Sequence, residues 1–197
     1  MTTPVGHAIA GLATGWFSDA LVRLRHTTPG RAAARLTMAC VAAAMAPDLD
    51  ILFRMHRSYT HSVGAAMIAG AVAWLVARRK SSALGSPSVA GLTVAVAYST
   101  HVLLDWLAKD TAPPFGLMAL WPFSSRFYLS GANIFLEVSR RYWKPEEFIV
   151  GNFKAVGWEV ITLAPVAVLA WWVRERVNSR RSKVERHDDY RPLTIDY

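Results

Sequence analysis

Five apolar stretches, at roughly 4–22, 32–47, 62–77, 88–108 and 156–173, follow one another along the chain, each flanked by polar or basic residues. No other feature narrows the choice of fold as much. A helix crossing the hydrocarbon core of a membrane needs about 20 apolar residues, or about 17 where the fit is tight. The stretches at 32–47 and 62–77 fall slightly short of that. The pattern predicts an all-α, multi-pass transmembrane helical bundle of about five helices. A soluble helical bundle is the alternative. With 53% hydrophobic and 18% charged residues, the chain is more apolar than ordinary globular domains and far from a disordered composition. Trp74, Trp106, Trp158, Trp171 and Trp172 lie near stretch ends, where amphipathic rings favour the membrane interface.

The net charge of +8 suits either nucleic acid or an anionic membrane, and position decides between them. Threading five helices back and forth puts 23–35, 78–87 and 174–197 on one side, and the N-terminus, 48–61 and 107–155 on the other. The first side then carries 14 bases and six acids, Asp19 included, and the second carries eight of each. The whole excess falls on one face, which the positive-inside rule makes cytoplasmic. These basic clusters abut helix ends and lack interleaved aromatics or a recognisable binding motif, so no nucleic-acid partner is expected. Membrane lipid is the expected partner, and no obligate protein partner is implied. The domain is expected to span 1–177, with 178–197 a charged, disordered cytoplasmic tail.

A single cysteine, Cys40, excludes an internal disulfide and a Cys-type zinc site. Any metal must be held by His and carboxylates. His7, His56, His61 and His101 all fall on the less basic side, with Asp48, Asp50 and Asp105. Ionisable groups at membrane depth are functional by default.

His7 follows Thr3-Pro4, a cap and first-turn proline, and is expected near the outer surface. Pro47-Asp48-Leu49-Asp50 closes the second stretch, and two carboxylates there suit a divalent cation or merely cap a turn. In the run from His56 to Ser62, Ser58 or Thr60 is the expected N-cap of the third helix. That helix N-terminus, with Arg57, would attract a phosphate. Thr60 or Ser62 would contact substrate or orient a ligand. His101 and Asp105, at i and i+4, share one helix face and can bind a cation together. Glu159, expected in the first turn of the last helix, is a further candidate ligand, with Glu137 its competitor. Arg126, after Trp121-Pro122-Phe123, would bind substrate phosphate or reach lipid headgroups.

Taken together, His7, the run Pro47 to Asp50, His56-Arg57 with Thr60-His61-Ser62, His101 through Asp105, and Trp121-Pro122 resemble the YdjM-like membrane-bound metal-dependent hydrolases, some described as regulated by the SOS repressor. The likeness spans about residues 5–173. Ser58-Tyr59 departs from it, since a glycine is expected after the His-Arg pair. The order of ligands is also similar to zinc-dependent phospholipase C and its nuclease relatives. That similarity implies that His7, Asp48, His61, His101 and Asp105 match ligand positions, with Glu159 or Glu137 as a closing acid. Those enzymes use further late histidines, and none lies between His101 and His187, so one or two ions, zinc by resemblance, are expected rather than three.

The expected activity is hydrolysis of a phosphoester, such as a phospholipid or lipid-linked phosphate, by metal-activated water, with Asp48 or Asp50 taking the proton or bridging the metals. Arg57 would neutralise the phosphoryl oxygens. The chain is expected in the inner (plasma) membrane, its metal site on the outer, periplasmic side. A non-enzymatic metal carrier or structural bundle is the rival, although a transporter should carry ionisable groups through the midplane.

Overall fold

Thr3 opens the first helix: its hydroxyl accepts the N–H of Gly6 at 3.3 Å, and Pro4 takes a first-turn position, where its missing N–H costs nothing. The computed structural model describes residues 1–24, 30–53, 57–80, 84–111, 113, 115–139 and 141–189. Within them the chain forms five helices, α1 (Pro4–Arg23), α2 (Gly30–Met45), α3 (Val63–Arg79), α4 (Pro87–Leu107) and α5 (Pro145–Asp189), with a 3-10 segment, Ala46–Phe53, continuing α2. No strand occurs among the described residues; segment 108–144 holds only two isolated bridges, Ala108 with Phe135 and Leu117 with Tyr128. The fold is all-helical, as the apolar stretches predict.

Three boundaries differ from expectation, each for a local reason. The N-cap of α3 is Ser62, whose Oγ accepts from Ala65 N at 3.1 Å, because the Thr60 hydroxyl is already given to Asp50. Helix α5 begins at Pro145 rather than near 156, started by the proline and by Glu146 and Glu147 in its first turn. Glu159 therefore lies well inside the helix and not in its first turn. Helix α5 runs on through Asp189, and the remainder of the tail expected to be disordered from 178, residues 190–197, lies outside the described residues.

The interior is built from small residues. Leu36, Cys40, Ala73, Ala77, Ala90, Val94 and Ala97 form the core between α2, α3 and α4. Helices α1 and α2 touch at Gly11, where a Cβ would stand 2.7 Å from the Cys40 carbonyl oxygen. The large apolar side chains point the other way: Phe17, Met38, Ile68, Leu92, Ile161 and Leu169 are all exposed. Burying a residue of that size is worth roughly 1.5–3 kcal/mol, so a water-soluble protein would place these inside. Lipid is their natural surrounding, and small residues between helices are how membrane bundles pack closely. The segments Gly30–Leu52, Pro87–Leu107 and Pro145–Ser182 are each long and apolar enough to cross a membrane.

Neighbours in sequence run antiparallel, while α1 and α5 run parallel. Thr3 meets Glu159 at one end, and Asp19 meets Arg174 at the other, with Asp19 Oδ2 accepting from Arg174 Nε at 2.7 Å and Oδ1 from Arg23 Nε at 2.8 Å. One end of the bundle thus gathers the start of α1, the exit of α2, the start of α3 and the end of α4. The basic residues Arg23, Arg78, Arg79 and Arg174 mark the opposite end.

Candidate metal centre

At the less basic end, four separated pieces of chain converge on one point. His7 enters from α1, Asp48 from the 3-10 segment, His61 from the residue before the α3 cap, and His101 and Asp105 from one face of α4. One ligand atom from each of His7, Asp48, His101 and Asp105 lies within 4.8 Å of all the others. Nε2 of His7 is 3.4 Å from Asp105 Oδ1 and 3.8 Å from Asp48 Oδ2. Nε2 of His101 is 3.5 Å from Asp105 Oδ2 and 3.7 Å from Asp48 Oδ1. Neighbouring ligands on a tetrahedral zinc stand about 3.4 Å apart, given bonds of about 2.0–2.1 Å. The spacings are therefore close to those of a coordination shell.

His61 joins this group, its Nε2 3.1 Å from His101 Nε2, 3.4 Å from Asp105 Oδ2 and 3.9 Å from Asp48 Oδ1. The His7 and His101 rings stack at 3.6 Å, and His61 meets His101 edge-on at 4.8 Å. All three imidazoles are fully buried, whereas Asp48 keeps 15% of its side chain exposed and is the most exposed member of the group.

Nδ1 of His101 donates to the Ala44 carbonyl at 2.7 Å, which turns the other nitrogen, Nε2, toward the carboxylates. On His61 the same task falls to Asp50, whose Oδ2 lies 3.2 Å from Nδ1 and also accepts the Thr60 hydroxyl at 2.5 Å. A carboxylate behind a histidine is the arrangement that orients metal ligands. Burial disfavours a charged His61, but the Asp105 and Asp50 carboxylates outweigh it and raise the imidazole to about 9.

The donor set fits a divalent cation, since three buried atoms, His7 Nδ1, Asp48 Oδ1 and Asp105 Oδ2, have no hydrogen-bond partner among the described residues. Buried polar atoms are ordinarily paired, and orphans gathered in one cluster are consistent with a group that could hold a metal ion.

The remaining sequence candidates take other places. Glu159 is fully buried but caps α1: Oε1 accepts Thr3 N at 2.7 Å, Oε2 accepts Gly6 N at 3.1 Å, and the Thr3 hydroxyl also donates to Oε2. Glu137 is exposed, as is Arg126. Arg57, with φ of 66°, pairs Nη1 to Asp110 Oδ1 at 2.6 Å. His56 lies outside the described residues.

The start of α3, expected to welcome a phosphate, is closed by the protein itself. Val63 N and Gly64 N donate to the carbonyls of Ala119 and Trp121 at 2.9 and 2.8 Å, Ala65 N to Ser62 Oγ, and Ala66 N to the Ser62 carbonyl. A helix start binds anions through free N–H groups, and these four are taken. Ser62 Oγ in turn donates to the Tyr59 carbonyl at 2.5 Å, so Ser62 and Thr60 hold the loop that carries His61.

Two partners escaped the sequence reading. Thr2 places its hydroxyl 2.9 Å from both His7 Nε2 and Asp105 Oδ1, and its N–H donates to Asp105 at 2.8 Å; the Thr2-Thr3 pair ahead of His7 was the available signal. Asp110 stands 53 positions from Arg57, and no spacing rule links them.

The model of one family, described as YdjM inner membrane protein, matches residues 1–179. No curated protein and no solved structure matches the chain.

Proposed function

On the premise that the chain belongs to the YdjM inner membrane protein family, we propose that it is a membrane-bound metal-dependent hydrolase acting on a phosphoester, a phospholipid or lipid-linked phosphate by preference. The observation that carries this reading is the convergence of His7, Asp48, His101 and Asp105 within 4.8 Å, with orphaned buried atoms among them.

His7, Asp48, His61, His101 and Asp105 are the holding residues. Each of the two aspartates faces different histidines with its two oxygens. Asp48 Oδ2 and Asp105 Oδ1 look toward His7, while Asp48 Oδ1 and Asp105 Oδ2 look toward His61 and His101. That division suits one or two ions, zinc being the one whose usual donors are imidazole and carboxylate. When bound, such ions supply a water of lowered pKa and positive charge for a phosphoryl oxygen.

The chain's own residues then have distinct tasks. Asp50 and the Ala44 carbonyl orient the His61 and His101 rings. Asp48, the most exposed member, is the group able to take a proton from a molecule arriving from outside the cluster. Arg57 enters as a positioning residue through Asp110, whose other oxygen accepts Gly116 N at 2.6 Å. Arg126, exposed on the segment between α4 and α5, is the cation that meets a headgroup. The basic residues at the opposite end support a periplasmic position for the cluster, where outer-leaflet lipid would reach it directly.

Elemental analysis of the purified chain, paired with a panel of phosphodiester and phospholipid substrates, tests this reading. Divalent metal together with headgroup release supports it. Metal without turnover of any substrate favours a non-enzymatic metal protein, and absence of metal after exposure to zinc removes its basis.

A further inference from the structure

At the end of the bundle opposite the metal cluster, the last turn of α1 and the far part of α5 enclose a groove of about 540 Å³ lined by Arg23, Leu24, Trp172, Val173 and three further arginines, Arg176, Arg180 and Arg181. Its charge is only partly compensated among the described residues. The nearby acid, Asp19, has one oxygen on Arg23 and the other on Arg174, and Glu175 also pairs with Arg174. Arg176, Arg180 and Arg181 pair with no carboxylate among the described residues, and Arg176 lies over the Trp172 ring at 5.0 Å. Like charges so close together are unfavourable unless an anion sits between them.

The opposite wall is apolar and continues into the outward face of the bundle, where Leu24, Trp171 and Trp172 are exposed. The 38-residue candidate span in α5 would be about 57 Å long as helix, nearly twice the hydrocarbon thickness of about 30 Å. A helix of that length exceeds the acyl layer, and with Trp171 and Trp172 taken at the interface the arginines that follow them fall at headgroup level. A free phosphate would use the guanidinium groups and leave the apolar wall wet.

We propose that this groove is a binding site for an anionic phospholipid, Arg176, Arg180 and Arg181 taking the phosphate while Leu24, Trp172 and Val173 pack the start of its chains. Basic pockets between helices bind anionic headgroups in this way. The site is independent of the metal cluster and of any hydrolysis there.

The test is retention of radiolabelled phosphatidylglycerol by the full-length chain, immobilised in mild detergent. Unlabelled phosphatidylglycerol is expected to displace the label, and phosphatidylcholine and inorganic phosphate are expected not to. Retention should fall about fivefold for each of Arg176→Gln, Arg180→Gln and Arg181→Gln, about 1 kcal/mol per basic residue at a membrane surface, and stay unchanged for Arg78→Gln at the same end of α3. Should these variants fail to fold, the wild type still decides the matter, because its retention must fall as salt is raised. Equal displacement by phosphatidylcholine, displacement by inorganic phosphate, retention indifferent to salt, or arginine variants that hold the label like wild type would each overturn the proposal.

Discussion

Asp50 stands behind His61, its Oδ2 3.2 Å from Nδ1, so that Nε2 is the nitrogen turned to Asp105 and Asp48. On the proposed reading Asp50 acts as an orienting group behind His61. Asp50→Asn should weaken zinc binding about 10–100-fold without abolishing it, as read by competition with a chelator. Complete loss would make Asp50 a ligand, and no change would make its contact with His61 incidental.

His101 and Asp105 lie at the centre of the cluster, each facing ligands from other elements. His101→Ala and Asp105→Asn should each remove most of the bound metal, measured by elemental analysis on protein that still elutes as a single species. His7 touches only one side of the two aspartates, so His7→Ala in a two-ion site should leave about half the metal, with one of the two ions retained. Metal content falling to nothing in His7→Ala would indicate a single shared ion.

Glu159 accepts the N–H groups of Thr3 and Gly6 at the start of α1, so its expected role is to hold that helix end. In Glu159→Gln one carboxylate oxygen becomes an NH2 group facing donors, which should cost about 1–3 kcal/mol of stability and lower the thermal unfolding temperature in detergent. Metal content should be unchanged; a loss of metal in a well-folded variant would restore Glu159 to the ligands.

Arg57 and Asp110 form one unit between the loop before α3 and the segment after α4. Arg57→Gln and Asp110→Asn should have similar effects on stability, and the double variant should add little to either, since partners in one ion pair couple. A KM effect for Arg57→Gln that Asp110→Asn lacks would show that the guanidinium touches substrate.

Gly11→Ala should destabilise by roughly 1–3 kcal/mol, because the added Cβ would lie 2.7 Å from Cys40 O and 2.8 Å from Val41 Cα. Gly157, with nothing within 4 Å of an added Cβ, is the control, and Gly157→Ala should be neutral or slightly stabilising. Both are read from thermal unfolding of detergent-solubilised protein.

What the sequence revealed and what it hid follow from range. His7, His61, His101 and Asp105 could be brought to one level because successive apolar stretches must run back and forth, so their alternate ends meet. The i, i+4 pair on α4 added a shared face. The closure of α3 by the Ala119 and Trp121 carbonyls depends on an irregular segment with no period to read, and so does Arg57 with Asp110. Glu159 was recognised as a buried acid, but its partners are two backbone N–H groups and a hydroxyl across 153 to 156 positions, which no residue pattern announces.

The paired ends of α1 and α5 carry a consequence for how this family can vary. Glu159 fastens to the start of α1 and Arg174 to Asp19 near its close, so 15 residues of one helix are matched to 16 of the other. A single inserted residue between those fastenings would swing one of them about 100° around the axis, out of reach of its mate. That interval should tolerate exchange of its lipid-facing side chains far better than any change in their number.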